Sequence, residues 1–156
     1  MEGPYHILLA DNHAGFRREV RKILEEIPGV KVTGEAGNRR ELFELLWQSP
    51  PKLVILDISL PDLRAREGTQ LIKRQCPQTE VLLMALDQEQ EYLTYGMAAG
   101  AAGILPKQHV GGQIVGVVTA LRQGKIYVPP QVPGTYSPRM AAPTAKGPGR
   151  TGGNNC

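Results

Sequence analysis

Leu53-Val54-Ile55-Leu56-Asp57-Ile58-Ser59-Leu60-Pro61 is the stretch from which the rest of the chain can be read. Leu53 to Leu56 form an unbroken aliphatic run, the pattern of a strand buried on both faces, as in a parallel sheet. Asp57 ends the run. Pro61 cannot continue a ladder, so the chain leaves the sheet just after Asp57 and sets its carboxylate at the carboxyl edge of the strand. Open α/β sheets bind ligands at that edge. An aspartate there can also be a turn former or a helix cap. Whether other charged groups converge on the same edge separates the two readings.

Outward from this strand, the pattern repeats on both sides. Tyr5 to Ala10 is a short apolar run that stops at Asp11-Asn12. Phe16, Val20, Ile23, Leu24 and Ile27 then fall at helical spacing, and Pro28-Gly29 ends that helix. Val30 to Glu35 reads as a second strand. Asn38 is the predicted cap of a helix whose apolar face carries Leu42, Leu45 and Leu46, with Trp47 expected to join them. Beyond Pro61 and Asp62 the spacing predicts a helix over Thr69 to Gln75, a strand over Glu80 to Ala85 and a helix over Glu89 to Ala99. A short strand around Ile104-Leu105 follows, then an amphipathic helix on Val110, Ile114, Val117, Val118 and Leu121, ended near Gly124. Five alternating strand–helix pairs predict a doubly wound, flavodoxin-like α/β fold, with a five-stranded parallel sheet in the order 2-1-3-4-5 and five helices. That order sets the ends of strands one and three side by side, so Asp11 and Asp57 are expected to share one crevice.

The 156 residues are one domain's worth of chain, and no run reaches the length a membrane span needs. The N-terminus has no basic region followed by an apolar one, so a cytoplasmic protein is expected. The net charge of +3 is located in the last 28 residues, where Arg139, Lys146 and Arg150 stand without any acid. Residues 1–128 are then electrically balanced, which argues against nucleic-acid binding by the folded body. Residues 129–156 hold six prolines and five glycines and no apolar period, the composition of a disordered tail. The expected division is therefore a folded domain over 1–128 and a tail over 129–156. Cys76 and Cys156 cannot build a disulfide framework or a metal site by themselves and are read as free thiols. His6, His13 and His109 are too scattered in sequence to suggest a metal cluster and are read as packing or surface residues.

Three fragments now stand at strand ends in order: Leu8-Leu9-Ala10-Asp11-Asn12-His13, then Val54 to Pro61, then Gly100-Ala101-Ala102-Gly103-Ile104-Leu105-Pro106-Lys107. Together they resemble the receiver domain of two-component response regulators over roughly residues 5–128. The wording is similar to LuxR-type regulators, including Arg122-Gln123-Gly124-Lys125-Ile126-Tyr127 after the last helix. The resemblance implies a signalling module rather than an enzyme, one that takes part in a phosphorelay. Its implied phosphoacceptor is Asp57, its donor a sensor histidine kinase, and Lys107 the partner of the phosphoryl group. Mg²⁺ is the implied cofactor, held by Asp11, Asp57, the backbone carbonyl of Ser59 and, in a weaker role, Asn12. The chemistry needs such cations, because moving a charged phosphoryl group onto a carboxylate builds negative charge on the equatorial oxygens. A homodimer or a downstream protein is the further implied partner.

Departures from the family pattern qualify this. Asn12 replaces the second acid usual at the end of strand one, so Mg²⁺ is expected to bind less tightly than usual. Ala85 stands where a Thr or Ser hydroxyl commonly meets the phosphoryl group, and Ile104 where an aromatic residue commonly moves with the switch. The glycine common eight residues beyond the acceptor is Ala65, with Gly68 displaced. The alternative reading is therefore a degenerate pseudo-receiver acting as a phosphorylation-independent interaction module. A dehalogenase-like phosphatase would need an acid at position 59, which is serine, and no glycine pattern of a nucleotide-binding loop follows a strand. LuxR-type regulators carry a C-terminal helix-turn-helix, but residues 133–156 are too few and too polar for one, so neither DNA nor membrane binding is expected.

Overall fold

Five short apolar runs form one parallel sheet: β1 (Tyr5–Ala10), β2 (Val30–Ala36), β3 (Leu53–Asp57), β4 (Glu80–Ala85) and β5 (Gly103–Pro106). The computed structural model describes residues 3–85, 97 and 99–127. The strand order is β2-β1-β3-β4-β5, as the alternation of strands and helices predicted. Every residue of β3 is buried, which is what its unbroken aliphatic run demands of a central strand. Register fixes the edge: Ala10 pairs with Leu56, and Asp57 with Met84, so Asp11 and Asp57 leave neighbouring strands at nearly the same level.

Helices cover both faces. On one, α1 (Ala14–Leu24) and α4 (Val110–Arg122) pack on Ile7, Leu9, Ile55, Leu82 and Leu105. On the other, α2 (Arg39–Gln48) and α3 (Ala65–Gln75) pack on Leu8, Val54, Leu56, Leu83 and Ile104. Successive strand residues therefore serve opposite cores, as the two-residue period of a strand requires. Asn38 caps α2, its side chain accepting the Glu41 amide hydrogen at 2.9 Å.

Several boundaries differ from the sequence reading. α1 stops at Leu24, and Glu25 to Gly29 form a turn in which Gly29 takes φ +82°, a conformation glycine adopts at little cost. α3 begins at Ala65 rather than Thr69, four residues before its apolar spacing becomes readable. Gly68 hides that first turn from sequence, yet a Cβ there would stand 2.9 Å from Leu63 Cδ2 and 3.2 Å from Leu56 Cδ2. A side chain there would have to displace the methyl ends of Leu63 and Leu56. Trp47 does not join the α2 core: it is 64% exposed, and its indole N–H donates to Gln75 Oε1 at 2.9 Å. Phe43, one turn earlier, takes the buried place. Cys76 is buried and disulfide-bonded, which corrects its reading as a free thiol, since spacing alone never decides pairing. The helix expected over Glu89 to Ala99 lies almost wholly outside the described residues, as does the tail expected over residues 129–156.

At the far edge of the sheet, Tyr127 bridges Gly103 in parallel and exchanges backbone hydrogen bonds with Ala102 and Ile104. The chain after α4 thus covers part of the open edge of β5.

Candidate functional site

Asp11 and Asp57 are buried at the carboxyl edge of the sheet, and Lys107 comes to them from the end of β5. Lys107 opens a single 3-10 turn, Lys107–His109, which delivers its side chain back over the strand ends before α4 begins. Its ammonium stands 2.7 Å from Asp11 Oδ2 and 3.2 Å from Asp57 Oδ2, and 4.6 Å from the centre of the Phe16 ring. The lysine is 9% exposed, so both its charge and the two carboxylates have left bulk water. Two negative charges face one positive charge. The imbalance favours a further cation.

Each carboxylate is fixed by its own turn. The Ser59 amide donates to Asp57 Oδ1 at 3.1 Å, and the Ser59 hydroxyl lies 3.1 and 3.0 Å from Oδ1 and Oδ2. The His13 amide donates to Asp11 Oδ1 at 2.8 Å, and His13 Nδ1 lies 3.1 Å from the same oxygen. Arg17 donates to the Asp11 backbone carbonyl and reaches Glu35 Oε1 at 2.9 Å, tying α1 to the end of β1 and to β2. Arg21 meets the other oxygen of Glu35 at 2.7 Å. Burial pushes the Glu35 carboxyl upward, but the hydrogen bonds from Arg21 and Arg17 and their charges outweigh it, leaving Glu35 below its ordinary range.

Asp11 Oδ2 is buried and has no hydrogen-bond partner; the ammonium of Lys107 is near it as a charge. One oxygen of Asp11, one of Asp57 and His13 Nδ1 all lie within 4.8 Å of one another. Two buried carboxylates that share a single ammonium, with an oxygen of each close to the other, are a donor set that fits a hard divalent ion such as Mg²⁺.

The sequence-derived set is thus largely assembled. Asp11, Asp57 and Lys107 meet, and Ser59 touches Asp57 through its amide and hydroxyl. Asn12 is exposed beside them. His13 is exposed, as its reading as a packing or surface residue allowed, and the turn after β1 in addition brings its ring to 3.1 Å from Asp11 Oδ1. Its adjacency to the Asp-Asn strand end was the available signal. Phe16 was read only as core, and its contact with Lys107 depends on a distance between elements that no local pattern carries. Ala85 is buried at the end of β4 and Ile104 is fully buried in β5, the positions the sequence reading gave them.

Comparison with known proteins places the fold in a family. The response regulator receiver domain family matches residues 7–119. The transcriptional regulatory protein DegU of Brevibacillus brevis is 27% identical over 131 residues, which cover 84% of this chain and 56% of DegU. Among solved structures, the non-phosphorylated receiver domain of the stress response regulator RcsB from Escherichia coli superposes with a TM-score of 0.76 at 25% identity, covering 81% of this chain and 99% of that one. A LuxR-family two-component response regulator from Aurantimonas gives 0.71 at 26% identity, with 76% and 85% of the two chains covered. The chain belongs to the response regulator receiver domain family, and its relatives are LuxR-family response regulators. It spans about half the length of the curated relatives it matches. Among the described residues no helix is long and apolar enough to cross a membrane.

Proposed function

We propose that this receiver domain accepts a phosphoryl group on Asp57 from a sensor histidine kinase, as a cytoplasmic step of two-component signalling. The observation that carries the reading is the placement of Lys107, whose buried ammonium stands between Asp11 Oδ2 and Asp57 Oδ2. An oxygen of Asp57 attacks phosphorus, the bond to the donor breaks, and an acyl phosphate results. Ser59 holds the attacking carboxylate in one rotamer through its amide and hydroxyl. Lys107 places a fixed positive charge where the equatorial oxygens gain negative charge, without any reorganisation of solvent. Mg²⁺, held by Asp11, Asp57, the Ser59 carbonyl and Asn12, would supply further neutralising charge to those oxygens. One carboxylate fewer in this set makes that hold weaker than in receivers with two acids on strand one.

At the end of β4, Ala85 offers no hydroxyl to the phosphoryl group, and Ile104 is packed in the core. Phosphorylation therefore shifts the conformation only weakly, because a ligand moves an equilibrium only by its difference in affinity for the two states. Output runs through a second copy of the chain or a downstream protein. We assign the receiver to residues 1–128 and read residues 129–156, from their composition, as a tail.

Incubation with a small acyl-phosphate donor and Mg²⁺, followed by intact mass, tests the acceptor. The wild-type chain gains the mass of one phosphoryl group and Asp57→Asn gains none. Absence of any Asp57-dependent adduct at saturating Mg²⁺ would falsify the proposal and leave a phosphorylation-independent interaction module.

A further inference from the structure

We propose that His13 is a nitrogen ligand of the cation site at Asp11 and Asp57, and that it shifts the site's preference from Mg²⁺ toward first-row transition-metal ions. The inference rests on the cation-assisted reading of Asp57 given above.

The sequence removes one hard ligand from this site and sets a softer one beside it. Asn12 carries no charge, so electrostatic retention of a hard ion falls. The next residue is histidine, and the turn that follows β1 brings it back. The His13 amide closes onto Asp11 Oδ1 at 2.8 Å, which leaves Nδ1 at 3.1 Å from that oxygen. Nδ1 and one oxygen each of Asp11 and Asp57 lie within 4.8 Å of one another. Ligands sharing one ion at about 2.1 Å stand about 3 Å apart when adjacent and about 4.2 Å apart when opposite, so small rotations complete the set. His13 has room for them, its side chain being 57% exposed. The two oxygens of Asp11 are divided between two neighbours: Oδ2 pairs with the Lys107 ammonium at 2.7 Å, and Oδ1 faces His13.

The ligand types then decide selectivity. Carboxylate, carbonyl and water suit Mg²⁺, whereas imidazole adds little for Mg²⁺ and much for ions further along the Irving–Williams order. His13 Nδ1 gives up its contact with Asp11 Oδ1 to bind the ion, and Nε2 turns to water. Lys107 stays on the opposite side of the carboxylates, between their Oδ2 atoms.

Because any such site favours Ni²⁺ over Mg²⁺ to some degree, the test is differential. Titration calorimetry of the full chain with NiCl₂ and with MgCl₂ is compared among wild type, His13→Ala, His13→Asn and Asp11→Asn. His13→Ala weakens Ni²⁺ binding by at least about tenfold and Mg²⁺ binding by less than about twofold, the scale on which metal-site residues act. His13→Asn behaves the same way while keeping the turn, and Asp11→Asn weakens both ions. With Mn²⁺ bound, pulsed electron paramagnetic resonance shows a nitrogen coupling that His13→Ala removes. An unchanged ratio of the two affinities, a nitrogen coupling that survives in His13→Ala, Ni²⁺ binding that survives in Asp11→Asn, or no divalent binding at all overturns the proposal. None of these readouts needs phosphoryl transfer. His13-dependent selectivity in a chain that forms no Asp57 adduct would sink the proposed function alone, and an Asp57 adduct without that selectivity would sink this inference alone.

Discussion

Lys107 is a lysine buried to 9% exposure with two carboxylates and an aromatic ring as its surroundings. Removing one member of a buried charge set leaves the others uncompensated, so Lys107→Met is expected to destabilise the fold by about 3–5 kcal/mol in chelator. Added Mg²⁺ should return part of that loss, because a cation that binds only the folded state stabilises it by mass action. Urea denaturation with and without Mg²⁺ checks both statements. A loss under about 1 kcal/mol would mean that water reaches the carboxylates and screens them. Conversely, Asp11→Asn removes one of two like charges and should leave stability in chelator unchanged or raised. The acidic pair and its lysine were legible in the sequence because each residue ends an apolar run, and a run's end is a local property. His13 and Phe16 were not. Their roles depend on how the turn after β1 folds back and on where α1 lies over the strand ends, which are distances between elements.

At the scale of elements, α1 is fastened to the sheet by Arg17 and Arg21, which grip the Glu35 carboxylate of β2 from two directions. Glu35 is held below its ordinary carboxylate range, so its contribution is complete above that range and fades as pH falls through the lowered value. The pair is partly exposed and screened by water. Glu35→Gln should therefore cost about 1 kcal/mol near neutral pH, and wild type and variant should converge in acid. Urea midpoints across the acid limb measure it, and a constant gap at every pH would contradict the assignment. The ends of β4 and β5 carry the second expectation. Ala85→Thr restores a hydroxyl beside the phosphoryl position and should enlarge the change in amide exchange over residues 99–110 produced by a phosphoryl mimic at Asp57. Equal, large changes in both proteins would show that another group drives the switch. Strands read well from sequence because their apolar runs are short and bounded by Pro, Gly or Asp. Helix boundaries read less well. Gly68 looked like a loop because the close approach of α3 to Leu56 and Leu63 is a tertiary demand, and Trp47 looked like core because its exposed place beside Gln75 is set by packing between α2 and α3.

For the whole molecule, sheet order and the two cores follow from alternation alone, since parallel crossovers leave few topologies for five such pairs. The division at residue 128 was drawn from composition and lies outside the described residues. Under reducing conditions, removal of residues 129–156 should change the unfolding free energy by less than about 1 kcal/mol, because a segment without apolar period adds little packing. A larger loss would place the tail on the domain. The central claim concerns one oxygen atom of one residue. Sodium borohydride reduces an aspartyl phosphate to homoserine, so trapping after incubation with phosphodonor and Mg²⁺, followed by peptide mass spectrometry, reads the acceptor directly. Homoserine should be found at position 57, and in a phosphodonor-dependent way. Homoserine at Asp11 instead, or at no aspartate of the chain, would contradict the account.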